Sequence, residues 1–145
     1  MNLSEHFTLE EMTHSDIGSR KGYDNTPNDR EVANLRRLCG LLEKVKEVVG
    51  NKPVFINSGF RSKQVNDAVG SKDSSQHRIG CAADIRVPGM TPKQVISACI
   101  LARLPYDQII LEFDAWVHIS VPNDPHALPR RQALIIDKSG TRPYA

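Results

Sequence analysis

The chain has 145 residues, with 19 basic against 17 acidic side chains and a formal net charge of only +2. Hydrophobic residues make up 39% and charged residues 25% of it, which suits one core, so a single domain over residues 1–145 is expected. The near-balanced charge supplies no broad field for steering onto phosphate backbones, so nucleic acid is not an expected partner, and no apolar run is long enough to span a bilayer.

In chain order, Thr8 and Glu11 have the spacing of a capping box, which predicts a short helix through about Thr13. Residues 15–27, rich in Gly, Ser and Asp, read as a loop. Val32, Leu35, Leu38, Leu41, Leu42, Val45, Val48 and Val49 then recur at three- and four-residue intervals. With Asn28 as N-cap and Gly50 where a left-handed stop belongs, they predict a long amphipathic helix. Residues 53–57 read as a short apolar strand ending at the turn Ser58-Gly59, and residues 62–69 as a short helix stopped by Gly70. Residues 81–87 read as a strand closed by Pro88-Gly89. Thr91 and Pro92 open a helix that runs to about Ala102. Strands follow at 108–112 and 116–121, separated by Phe113-Asp114-Ala115, short enough for a hairpin turn. Residues 131–137 read as a final strand, while Arg130, Arg131 and the polar tail 138–145 read as peripheral. Helices mostly precede strands, with one helix between them. The expected class is α+β, a single domain with an antiparallel or mixed sheet flanked by helices.

The start MNLSEHFTLEEM has neither the basic opening nor the apolar stretch of a signal peptide. Cys39, Cys81 and Cys99 are odd in number and widely spaced, which suggests neither a disulfide framework nor a thiolate zinc site. A metal would have to be held by histidines and carboxylates. A hydrolytic zinc site uses roughly three protein ligands, commonly two His and a carboxylate, and keeps a position for water. His77, Asp84 and His118 meet that count. Gly80 lets the chain fold back between the first two, and Glu112 or Asp114 can take a proton from the water. The bland reading of the same residues is a loop histidine, a strand-end carboxylate and a core histidine. A rival nucleophile, Cys81 beside His77, sits in an apolar run with Arg78 as its one nearby cation, and reads better as a small buried cysteine. His6, His14 and His126 have no motif context and read as surface residues.

Ser75-Gln76-His77-Arg78-Ile79-Gly80-Cys81-Ala82-Ala83-Asp84 matches in full the pattern S-x-H-x-x-G-x-A-x-D of the zinc D-Ala-D-Ala carboxypeptidase and phage endolysin peptidase family. Trp116-Val117-His118 matches that family's W-x-H signature. Asn57-Ser58-Gly59-Phe60-Arg61-Ser62 resembles its S-G-[YF]-R-S turn, and Asn66 falls where an asparagine is common. The opening Phe7 to Met12, with Ser15 and the loop Asn25-Thr26-Pro27, resembles the compact phage-associated branch. The likeness implies a hedgehog/DD-peptidase-like fold, Zn2+ as cofactor, and a peptidoglycan stem peptide as substrate. It implies zinc ligation by His77, Asp84 and His118, and a role for Arg61 in binding or polarising substrate. Ser75 and Gln76 would orient the loop or donate to substrate. Several relatives carry an acid three positions before the last histidine, where this chain has Ala115. Glu112, six before, has the spacing of the zinc-associated glutamate in the distantly related hedgehog domain. Glu112 is favoured as base because it ends an apolar strand, and Asp114 is the alternative. The expected activity is hydrolysis of a D-Ala-D-Ala or L-Ala-D-Glu type bond by a monomer. It would be made in the cytoplasm and reach the wall after phage-mediated release. The missing acid at Ala115 motivates a second reading, a zinc-stabilised wall-binding or phage structural module with weak or absent hydrolysis.

Overall fold

Helix initiation in this chain is set by side-chain caps. The computed structural model describes residues 1–144 and begins with α1 at Leu9–Thr13. Here the Thr8 hydroxyl accepts from the Glu11 amide while the Glu11 carboxylate accepts from the Thr8 amide. The same reciprocal pair, Asn28 with Glu31, starts the long helix at Asp29–Val48, and Thr91 with Gln94 starts the helix at Pro92–Leu101. Each cap satisfies amides that the first turn leaves without partners.

One difference from expectation lies in residues 15–27, where the structure has a second helix, α2, at Asp16–Lys21. The Ser15 hydroxyl accepts from the Gly18 amide, and Gly22 closes the helix at φ 69. Gly18 disfavours helix by composition, but a Cβ there would come within 3.2 Å of Val65. Close packing therefore outweighs propensity. The long helix is α3, the short Lys63–Ala68 helix is α4, and Pro92–Leu101 is α5. A single 3-10 turn at Gln76–Ile79 was not foreseen.

The strands are β1 (Phe55–Ser58), β2 (Ala82–Arg86), β3 (Gln108–Glu112), β4 (Trp116–Ser120), β5 (Gln132–Asp137) and β6 (Gly140–Pro143). They form one sheet in the order β1-β2-β4-β3-β5-β6. Every neighbouring pair is antiparallel except β3 with β5, so the sheet is mixed. The class is α+β, as expected. Side chains alternate between the faces of a strand. Ala83, Ile85, Ile109, Leu111, Val117 and Ile119 all join the core formed with Leu35, Leu38, Leu42 and Val45 of α3 and with Val95, Ile96 and Cys99 of α5. The residues between them, Asp84, Ile110, Glu112 and His118, stand on the other face.

The tail departs from a peripheral reading. β6 pairs with β5 although all four of its residues are exposed. It has no apolar alternation to mark it, and Arg142 forks onto Asp137 across the hairpin at 2.8 and 2.9 Å. Arg130 likewise closes on Asp107, which is 3% exposed, with Nη2 to Oδ2 at 2.6 Å. Ala145 lies outside the described residues. No helix among those residues is long and apolar enough to cross a membrane.

Candidate metal centre

Strand pairing alone brings two polar donors together. β2 and β4 place Asp84 directly opposite His118, and Asp84 Oδ1 lies 3.2 Å from His118 Nδ1. His77 arrives on the 3-10 turn that precedes β2. Ser75 caps that turn by accepting from the His77 amide, and Gly80 ends it at φ 82. A Cβ at Gly80 would also lie 2.7 Å from the Glu31 carbonyl oxygen of α3, so only glycine allows this reversal at this distance from the helix. The reversal sets His77 Nε2 3.3 Å from Asp84 Oδ1. All three residues are buried, and their donor atoms lie within 4.8 Å of one another.

This donor set fits zinc. Bonds of about 2.0–2.1 Å in a tetrahedron put adjacent donors roughly 3.3 Å apart, the spacing that both histidines hold to Asp84. His77 Nδ1 lies 2.8 Å from the Gly59 carbonyl oxygen. A carbonyl can only accept, so Nδ1 carries a proton, and Nε2 is the ring atom that faces Asp84. Burial works against the charge of Asp84, but the two histidines outweigh it and hold the carboxyl well below its ordinary pKa.

Glu112 ends β3 on the same face. One carboxylate oxygen, Oε2, accepts from the Trp116 indole N–H at 2.9 Å, and the other, Oε1, lies 3.7 Å from His118 Nδ1. Burial, and then the negative charge of Asp84, push the Glu112 pKa up, while His118 and the indole hydrogen bond pull the other way. Asp114 is elsewhere. It is exposed in the β3–β4 turn and lines a surface cavity with Lys93, Leu111 and Arg142 on the helix side of the sheet.

Arg61 follows β1, whose Ser58 is paired with Asp84. Its Nε donates to Ser58 Oγ at 3.1 Å, its Nη2 lies 3.5 Å from Asp84 Oδ2, and its amide donates to the His77 carbonyl at 3.0 Å. The turn is clamped from outside. Asn25 donates to the Thr13 and Phe60 carbonyls and accepts from the Ser62 amide, and a Cβ on Gly59 would overlap the Met12 carbonyl.

Ser75 and Gln76 anchor the turn. The Ser75 hydroxyl is the cap already described, and Gln76 Nε2 reaches Asp107 Oδ2, the Val121 carbonyl and Asn123 Oδ1 at 3.2, 3.1 and 2.8 Å. Of the remaining histidines, His6 lies 2.7 Å from Glu43 and His14 lies 2.9 Å from Asp16. Burial raises the Cys81 thiol pKa, which disfavours a thiolate nucleophile. Two contributors are absent from the sequence-based set of site residues. Trp116 entered the sequence reading only as part of the W-x-H signature, and its indole holds Glu112. The readable signal was position, since residues flanking a three-residue hairpin turn are cross-strand partners. Asp107, the anchor for Gln76 and Arg130, has no local motif.

A sequence profile of the Peptidase M15 family matches residues 5–120. The zinc D-Ala-D-Ala carboxypeptidase of Streptomyces albus G is 41% identical over 53 residues, which is 37% of this chain and 21% of that protein. The aligned stretch thus spans about one fifth of that relative's length. Since the profile covers most of the chain, including His77, Asp84, Glu112 and His118, the chain belongs to the Peptidase M15 family of zinc metallopeptidases.

Proposed function

We propose that the chain is a zinc-dependent peptidase acting on peptidoglycan stem peptides, with His77, Asp84 and His118 as the metal ligands. The observation that supports this most is the shared sheet face. A half-buried carboxylate with a raised pKa, Glu112, stands beside the three donors, held by one oxygen and free at the other. Zinc in this donor set supplies Lewis acidity, bringing the pKa of a water toward neutrality and polarising the scissile carbonyl.

The chain's own residues do the rest. Glu112 accepts the proton of the attacking water at Oε1 and passes it to the leaving amine, while the Trp116 indole keeps Oε2 occupied. Arg61, 14% exposed at its side chain, offers a fixed cationic fork to the substrate carbonyl or terminal carboxylate. The Gly59 carbonyl and the Ser75 cap hold His77 in one orientation. The name of the Streptomyces albus G relative favours a D-Ala-D-Ala bond over an L-Ala-D-Glu bond. The silent wall-binding module drew its motive from Ala115, and the position of Glu112 supports the enzyme instead. We take the catalytic unit to be one domain, acting as a monomer and serving as a phage or prophage lysin.

The test is digestion of purified muropeptides by zinc-loaded protein, followed by mass spectrometry. Loss of a terminal alanine identifies the carboxypeptidase, and release of the stem peptide below its first alanine identifies the endopeptidase. Protein carrying one zinc per chain that cleaves neither bond refutes the reading.

A further inference from the structure

The hairpin of β5 and β6 lies beyond the residues that the family profile matches, yet it is bonded to the strand that carries Glu112. β5 runs parallel to β3 with Ile110 beside Leu134 and Glu112 beside Ile136. The Phe113 amide donates to the Ile136 carbonyl at 2.8 Å, which ties the turn after Glu112 to this strand. Paired residues of neighbouring strands present their side chains to the same face. Ala133 and Ile135 pack against the core on the helix side. Leu134 and Ile136 therefore stand on the face of Asp84, His118 and Glu112, and both are only partly buried.

The hairpin carries no charged side chain on this face, where Gln132, beyond Leu134, is bonded to Gln108. β6 adds Thr141 beside Ile136 and Pro143 beside Leu134. The charged residues of the hairpin alternate to the opposite face, where Asp137 and Arg142 are forked onto each other. Neighbouring strands are about 4.8 Å apart, so a peptide that crosses the strands with its scissile bond at Glu112 would lay an adjacent residue on Ile136. We propose that Leu134 and Ile136 form a specificity subsite for an uncharged aliphatic side chain at the substrate residue flanking the scissile bond. The inference rests on the peptidase reading, because it takes the occupant of this face to be the peptide cleaved at Glu112.

Ile136→Thr, alone and with Leu134→Thr, keeps β-branched or β-tolerant side chains in the strand while removing apolar surface. Zinc content and melting confirm that each variant is folded. Peptides differing only at the flanking residue, alanine or leucine against lysine or glutamate, are compared by kcat and KM. The expected result is a loss of about tenfold or more in kcat/KM for the aliphatic peptides, carried by KM, with little change for the charged ones. In parallel, the same peptides are titrated onto zinc-loaded Glu112→Gln protein, with and without Ile136→Thr. Fluorescence of Trp116, the only tryptophan, follows binding without turnover. An equal loss for all peptides, or no preference in the wild type, overturns the subsite. So does a variant effect confined to self-association, which would mean that a second copy covers this face. Absence of any cleavage by wild-type protein overturns the peptidase reading, and the fluorescence titration still decides the subsite.

Discussion

Replacing Glu112 with glutamine tests its proposed role as the base, because the surroundings dictate how the new amide must sit. In the wild type, the Trp116 indole N–H needs an acceptor and takes Glu112 Oε2 at 2.9 Å. A glutamine satisfies that donor only by turning its carbonyl oxygen toward Trp116. Its NH2 group then occupies the place of Oε1, 3.7 Å from His118 Nδ1, where a proton must be accepted. An amide there donates, so the substitution removes the base without creating a cavity. General-base catalysis contributes about 10²–10⁴-fold, or about 2.7–5.4 kcal/mol of barrier. The expected loss in kcat is of that size, with KM changed far less. The assay is release of amine from a muropeptide with metal content measured on the same sample, which should stay at one zinc per chain. Asp114→Asn in the exposed turn should keep activity near the wild-type level. A Glu112→Gln protein within tenfold of wild type, or a large loss in Asp114→Asn, would refute the assignment.

Gly59→Ala forces a Cβ against the Met12 carbonyl, so the Arg61 turn must shift together with the carbonyl that orients His77. A loss of about 1–3 kcal/mol in stability and of about 10–100-fold in zinc affinity is expected, measured by thermal melting and by competition with a chelating dye. Burial alone would raise the Asp107 pKa, but hydrogen bonds from the Arg130 side chain and amide bring it below the ordinary value. Its contribution is therefore fully present above the unfolded value of about 3.9, and is lost as pH falls through the folded pKa. Denaturant titrations from about pH 5 down to about pH 2 should show that slope in the wild type and a flatter one in Asp107→Asn. Removing metal with a chelator should lower the melting point, and zinc at about 100 times its dissociation constant should restore about 2.7 kcal/mol. A melting point indifferent to zinc would contradict the three-donor site.

Several elements were legible because their causes are local. The caps at Thr8, Asn28 and Thr91 each stand three residues before a Glu or Gln that closes the box. The apolar spacing of α3 needs nothing beyond its own turns to be read. Gly80 announced the reversal between His77 and Asp84, and it is there at φ 82. Helix α2 was hidden because Gly18 is justified by close packing against the Ser15 cap and against Val65, a residue on another helix. β6 was hidden because an edge strand exposed along its whole length bears no hydrophobic pattern; its partner holds it by backbone bonds and one ion pair. Gln76 was readable as part of a motif, but its partners Asp107 and Asn123 are 31 and 47 residues away.

The ordered motifs around Arg61, His77, Asp84 and His118 marked, without any coordinates, the residues on which the proposed zinc chemistry rests. Metal-ligand chemistry depends on residue type and on turns that a few neighbouring residues impose. Direction and proximity were decided by the tertiary structure. The pairing of β2 with β4 sets Asp84 against His118, and Trp116 selects which oxygen of Glu112 remains available. The parallel addition of β5 to β3 gives the site an apolar border that no local pattern marks. Such features depend on strand register, which is fixed by burying one face of the whole sheet against α3 and α5.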